Sequence, residues 1–317
     1  LPARELDRRA LLRAGGLGLG AVLLAACSSG GSSRSASTTT AAQALAKLPG
    51  FDAFAATVKA FRDGDVWMVE SDGMPAHSMM VGITSWQQQV PVPQAYTGAN
   101  AWRFPAKPVL ADKPVSARTG LFRGAIALAV NGVPIFNALN NRGDDAFLAG
   151  ELDQWGGHAG RADDYHYHVA PLHLQTLVGA NQPIAYALDG FAIYGSTEPD
   201  GSAMTALDEY NGHVGRDGVY HYHGTASYPY INGGLRGVVS VSDQVEPQPV
   251  TKAFRPAGAP LRGATIVGFD SAGSGRYRLE YLVNGQGARV DYQVDATSVR
   301  FEFTDVTGAT RTETYKR

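Results

Sequence analysis

Seven of the eight histidines in this 317-residue chain lie between His158 and His223. They fall twice into one pattern. Leu152 to His168 aligns without gaps on Leu207 to His223 at an offset of 55, with ten of 17 positions identical and all three histidines repeated. Each copy ends in Tyr-His-Tyr-His, at Tyr165–His168 and at Tyr220–His223. In a strand, residues i and i+2 share a face, ~6.6 Å apart at ~3.3 Å rise per residue. His166 and His168 then point one way, and Tyr165 and Tyr167 the other; His221 and His223 stand against Tyr220 and Tyr222 in the same manner. Imidazoles that close can converge on one ion at ~2.0–2.1 Å from each nitrogen. The glycine-rich turn at Gly157 and Gly160 can fold His158 back as a third ligand, and His213 is its counterpart. The expected metal ligands are His158, His166, His168, His213, His221 and His223. Three histidines with open coordination positions suit zinc and also copper. Asp153 and Asp208 are placed to orient an imidazole through its other N–H. The tyrosine faces pack beneath, with their hydroxyls bonded at the edge of the core. His173 has no counterpart and reads as a surface residue. One shared site or two separate ones depends on the distance between the two Tyr-His-Tyr-His strands.

The elements that must position these residues are strands. Charged residues are only 18% of the chain, with 38 Gly and 17 Pro. That composition favours strands joined by tight turns over long helices. The fold class expected is mainly β: a compact β-rich domain, sandwich- or barrel-like, containing the internal repeat, plus a small C-terminal antiparallel unit. Val66–Val69 reads as a strand, and Asn131-Gly132 between apolar runs reads as a hairpin. The apolar run from Ile184 to Tyr194 is interrupted by Asp189-Gly190. Phe54, Val58 and Phe61 are helically spaced, which predicts one or two short helices over 41–62, broken at Pro49-Gly50. Past a Pro/Gly-containing connector, five alternating segments run from Ala264 to Tyr315. This unit, 262–317, has no His, Cys, Met or Trp and is assigned no chemistry.

Residues 1–26 read as an export signal. Arg8-Arg9 precede an apolar pair, in the manner of a twin-arginine signal, and a small-residue apolar run follows. Leu24-Ala25-Ala26-Cys27 resembles a bacterial lipobox, which makes Cys27 the lipidation site. Residues 27–43 form a small, polar, flexible tether, and 44–245 the histidine-bearing domain with its short N-terminal helices. The expected location is the outer side of the bacterial cytoplasmic membrane, at the cell surface or on the periplasmic side, with the membrane as partner through lipid. Cys27 is the only cysteine, so an intrachain disulfide and a thiolate metal cluster are excluded. A net charge of −2 gives no basic field for nucleic acid.

The sequence resembles the YHYH-domain proteins, a family named for the tetrapeptide repeated here. Further segments carry the likeness: Ser71–His77, Asn131–Asn137, Leu188–Gly195, Asn211–His213, Tyr228–Tyr230 and Leu235–Gly237. It spans roughly residues 65–240 and implies a domain without implying a reaction. The resemblance promotes His77 as a further ligand reaching in from far along the chain. Met74, Met79 and Met80 beside it are soft donors of the kind that suits Cu(I), or else gap-filling core. It also promotes Asp189 as a ligand, a base or a turn former. Members of the family carry cysteines near the positions of Tyr210 and Gly234, so packing must hold that loop here. The Gly-x5-His-x-His spacing is similar to the opening of the cupin metal motif. The glutamate expected after it is absent, with Leu172-His173 and Ala226-Ser227 in its place.

Three functions follow from the residues. The first is a lipid-anchored protein binding copper or zinc. The second is a metal-dependent enzyme, an oxidoreductase or hydrolase, using an open His-ligated ion. The third is a metal-free lipoprotein whose Trp155, Tyr210, Tyr228 and Tyr230 stack on a sugar or another small ligand.

Overall fold

Short reversals, most of them at glycine, set the sheets of this protein. The computed structural model describes residues 47–317. The expected export signal, lipidation site Cys27 and tether fall outside the described residues. Of the helices expected over 41–62, the described part holds a single 3-10 turn, Phe51–Phe54. Lys59–Asp63 is instead strand β1, paired antiparallel with β2 (Val66–Glu70), so Phe61 faces Met68. Gly64 makes this possible: it takes φ 57° between the two strands, and the pairing satisfies backbone groups that a short helix would leave open. Strand β3 (Trp102–Pro105) completes a three-stranded sheet, and β4 (Leu110–Ser116) follows.

The central sheet takes the next eight strands. They are β5 (Ala125–Ala129), β6 (Pro134–Phe136), β7 (Gly157–Ala159), β8 (Tyr165–Tyr167), β9 (Ala185–Ala187), β10 (Ala192–Tyr194), β11 (Gly212–Val214) and β12 (Tyr220–His223). A one-turn helix, α1 (Gln175–Val178), precedes β9. The order is β11-β12-β10-β9-β5-β6-β8-β7. Read outward from the middle, both halves are the same. An antiparallel hairpin (β5–β6, β9–β10) is followed by a parallel pairing (β6–β8, β10–β12) and then an antiparallel one (β7–β8, β11–β12).

The halves meet through β5 and β9, where Ala127 pairs with Ala187, Leu128 with Tyr186 and Ala129 with Ala185. At an offset of 58, Leu128 corresponds to Tyr186, so that register is symmetric about a local twofold at this pair. The duplication is therefore larger than the 17-residue repeat. Its first part, Ala127–Asn137 against Ala185–Gly195, shares only four identities. All five residues of β5 are buried, as a central strand covered on both faces requires. Fully burying a side chain such as Ile126, Leu128 or Ile135 contributes roughly 1.5–3 kcal/mol.

Strand β13 (Gly234–Gly237) pairs with β4, and β14 (Ser240–Val241) with β15 (Val245–Glu246). The chain ends in an antiparallel meander of β16 (Ala264–Gly273), β17 (Arg276–Val283), β18 (Gln286–Val294), β19 (Ser298–Thr304) and β20 (Thr310–Lys316). The molecule is mainly β, and its sheets do not close into a barrel. The meander is held to the preceding residues by Gly82 N–H on the Ile266 carbonyl (2.9 Å) and Ile266 N–H on that of Ile83 (3.0 Å). A buried bidentate pair joins Arg255 to Asp163, with both bonds at 2.6 Å. Asp163 lies in the turn between β7 and β8, so this pair also braces the first histidine copy.

Candidate metal centres

Each copy is built on an aspartate that closes its own turn. Asp153 Oδ1 accepts the N–H groups of Trp155 (2.9 Å) and Gly157 (3.1 Å); Asp208 Oδ1 accepts those of Tyr210 (2.9 Å) and Gly212 (3.1 Å). The same carboxylates receive the hydroxyls of Tyr165 at 2.8 Å and Tyr220 at 3.0 Å. Asp153 and Asp208 therefore orient a tyrosine and a turn, not an imidazole. Glycine is needed opposite those rings: a Cβ on Gly157 would meet Tyr165 Oη at 2.5 Å, and one on Gly212 would meet Tyr220 Oη at 2.3 Å.

This packing brings β7 against β8 so that His158 stands directly across from His166, and β11 against β12 so that His213 stands across from His221. Directly opposed residues of an antiparallel pair share a face, so each cross-strand histidine joins the two from its tetrapeptide. The result is two groups, one of His158, His166 and His168 and one of Glu198, His213, His221 and His223. Strands β8 and β12 are five strand positions apart, roughly 24 Å at ~4.8 Å per strand. The two groups are separate.

The ring orientations carry the chemistry. His166 Nδ1 lies 3.0 Å from the Asp164 carbonyl, His168 Nδ1 2.5 Å from that of Asn137, and His223 Nδ1 2.8 Å from that of Gly195. Thr205 Oγ1 meets His213 Nδ1 at 2.8 Å. A carbonyl only accepts, so each Nδ1 facing one carries the ring proton and Nε2 is left with its lone pair. Those lone pairs converge. His158 and His168 Nε2 are 3.1 Å apart. In the second group His213–His221 and His221–His223 are 3.0 Å apart and His223–His213 3.2 Å.

Burial favours the neutral ring at His158, His168, His221 and His223. It pulls His158 well below the usual imidazole range, with the neighbouring histidines adding to the effect, and takes His168 down to about 3. His221 and His223 are also lowered, chiefly by burial. Neutral Nε2 is the form that binds a metal.

Glu198 completes the second group, 3.1 Å from His213 Nε2, 3.3 Å from His221 Nε2 and 3.7 Å from His223 Nε2. Burial works to raise its carboxyl, but the Thr205 N–H and the three imidazoles outweigh that and hold it below the usual range. The first group has a supporting carboxylate instead: Asp164 Oδ2 lies 3.4 Å from His166 Nδ1. Sequence reasoning missed both residues. It looked for a glutamate after each histidine pair, whereas Glu198 precedes His213, and only alignment of the β5–β6 and β9–β10 hairpins places it.

The remaining expected residues take other roles. His77 lies outside both groups: its Nδ1 donates to the Ser78 carbonyl at 3.2 Å, and its Nε2 meets Tyr167 Oη at 2.8 Å. Asn131 Nδ2 donates to the same Tyr167 hydroxyl at 3.0 Å. Tyr222 is held in the corresponding way, on Asp189 Oδ2 at 2.6 Å. Asp189 also accepts the N–H groups of Phe191 and Gly237, which makes it a turn former and tyrosine anchor. His173 is half-buried rather than on the surface, packed edge-on to His77 and Trp155. Met79 and Met80 are core residues, and Met80 Sδ accepts the Ala159 N–H at 3.0 Å. Trp155 stacks on His77, and the buried Tyr230 donates to Asp145, so neither offers a flat platform to a sugar. The loop at Tyr210 is held by packing: the Gly233 N–H reaches the Tyr210 carbonyl at 2.8 Å.

A duplicated β unit, each half presenting converging imidazole nitrogens able to hold a metal ion, defines the class of this protein. Residues 101–206 match the model of the family described as YHYH protein, which supports a YHYH-domain protein. The match takes in His158, His166, His168 and Glu198, while the second tetrapeptide lies beyond it. No curated protein and no solved structure matches the chain.

Proposed function

We propose that this protein binds two divalent transition-metal ions per chain, zinc in preference to copper, at its two histidine centres. The observation that carries this is the set of Nε2 atoms 3.0–3.2 Å apart, with the His166, His168 and His223 rings donating Nδ1–H to backbone carbonyls. Unprotonated imidazole nitrogens this close repel one another unless a cation lies between them. Nitrogens ~2.0–2.1 Å from one tetrahedral ion stand ~3.3–3.4 Å apart, close to what is seen. In the second centre the three Nε2 atoms lie 3.0–3.2 Å from one another, and one or the other Glu198 oxygen lies 3.1–3.7 Å from each. A square-planar ion would hold opposite donors about 4 Å apart, so the spacing favours zinc over copper(II).

Metal analysis of the purified protein tests this. Two zinc ions per chain are expected, falling to one in His166→Ala/His168→Ala and to one in His221→Ala/His223→Ala. A folded chain that takes up no metal would overturn the reading.

The sequence supports an exported, lipid-anchored protein, with Cys27 as the modified residue on the outer side of the cytoplasmic membrane. Cys27→Ser is expected to move the protein from the membrane fraction to the soluble extracytoplasmic fraction. Unchanged membrane association would contradict lipidation.

A further inference from the structure

We infer that the two centres have diverged, the second closed by protein and the first keeping a coordination position for an anionic oxygen ligand from outside, a carboxylate or a phosphate. This rests on the metal reading above. Glu198 and Asn140 are the same position of the duplicated unit, at an offset of 58. Each follows an isolated bridge, Thr197 with Ala203 and Leu139 with Asp145. Each opens the same turn: Glu198 N–H donates to Ser202 O at 3.1 Å and Gly201 N–H to Glu198 O at 2.9 Å; Asn140 N–H donates to Asp144 O at 2.8 Å and Gly143 N–H to Asn140 O at 2.9 Å. In the second centre that position supplies the fourth donor. In the first, Asn140 Oδ1 accepts the N–H groups of Arg142 and Asp144, and its Nδ2 donates to Glu151 at 3.3 Å, so its side chain is taken up by other partners. Glu151 itself has Ala206 as its counterpart in the other copy.

The position left by that replacement opens on space. His158, His166 and His168 line a cleft of about 400 Å³ whose wall also holds Asn140, Arg142 and Glu151. A catalytic or exchangeable metal centre keeps such an open position, whereas a structural one is filled by protein ligands. Charge selects the ligand. The charged residues lining the cleft are Arg123, Arg142, Arg161 and one acid, Glu151. Arg142 is already bonded to Glu151, and Arg123 pairs with Asp243, but the latter pair is exposed and weak. Three imidazoles put no anionic ligand on a dication there; the nearest carboxylate to the rings, Asp164, sits behind His166 on its Nδ1 side. The second centre has one unit of the ion's charge cancelled by Glu198.

Cobalt(II) in place of zinc reports coordination through its visible spectrum. In the His221→Ala/His223→Ala protein, which keeps only the first centre, added inorganic phosphate or acetate is expected to shift that spectrum. The arm that responds at lower concentration names the oxygen class. In His166→Ala/His168→Ala, with only the second centre, neither anion should change it. Asn140→Glu in the first-centre protein should abolish the response while cobalt stays bound, and Glu198→Asn in the second-centre protein should create one. No response from cobalt-loaded first-centre protein, or equal responses from both centres, would overturn the inference and leave the metal reading intact. Failure of either protein to bind cobalt would count against the metal reading itself.

Discussion

Stripping the metal with a chelator is expected to lower the thermal unfolding midpoint of the chain by on the order of 10 °C. An ion that binds only the folded state stabilises it by about 4 kcal/mol when free metal exceeds Kd about a thousandfold. For a chain of this size each kcal/mol corresponds to about 2–4 °C. The physical source of the effect is specific. Strands β7 and β11 are three-residue edge strands, each attached to its neighbour by one short ladder and by the histidine that faces the partner strand. Without an ion, the Nε2 groups of each centre repel. Scanning calorimetry with and without chelator, then with zinc restored, reads the change. The second centre should account for more of the loss, because protein ligands fill it and its anionic donor offsets the charge of the ion. Equal midpoints in metal-loaded and stripped protein would contradict the assignment.

Gly212→Ala is expected to cost the protein both stability and one metal. The added methyl would lie 2.3 Å from Tyr220 Oη, 2.6 Å from its Cζ and 2.7 Å from the His221 carbonyl oxygen. The ring is held by Asp208 and the carbonyl belongs to the backbone, so neither can give way cheaply. Overpacking of this kind costs roughly 1–3 kcal/mol. The strain is relieved by lifting β11 from β12, which carries His213 away from His221. Gly157→Ala should act alike on the first centre, where the methyl would meet Tyr165 Oη at 2.5 Å and the His166 carbonyl oxygen at 2.8 Å. Gly287→Ala in the C-terminal meander, with nothing within 4 Å of the added carbon, is the control and should change stability by less than about 0.5 kcal/mol. Denaturant unfolding together with metal analysis separates these outcomes. Two metals retained in Gly212→Ala would show that the β11–β12 packing does not position His213.

The histidine repeat and the strands around it were legible because their signals are local. Tyr-His-Tyr-His fixes which side chains share a face, Asn131-Gly132 marks a hairpin through turn chemistry, and Asp189-Gly190 marks a break in an apolar run. The five segments of the C-terminal meander alternate cleanly, and each became a strand with ends shifted by a few residues at most. Residues 59–63 misled because Phe54, Val58 and Phe61 fit a helical period, while the tight turn at Gly64 decided the outcome.

What the sequence hid was long-range. The first part of the duplication, β5–β6 against β9–β10, keeps its topology with few identical residues, and only the symmetric register at Leu128 and Tyr186 exposes it. Glu198 and Asn140 gain meaning only through that correspondence. Asp153 and Asp208 were placed near the histidines correctly by spacing, but spacing does not tell whether a carboxylate takes an imidazole, a phenol or a backbone N–H. His77 shows the converse, a histidine close to the repeat in space whose two nitrogens are both occupied by Ser78 and Tyr167.

Anomalous scattering from crystals of the purified protein, measured on both sides of the zinc absorption edge, tests the central claim most directly. Two peaks are predicted per chain, each ~2.0–2.1 Å from three Nε2 atoms, one among His158, His166 and His168 and the other among His213, His221 and His223 with Glu198 as fourth ligand. Ordered histidine groups with no peak at either position, even after soaking with zinc, would contradict it.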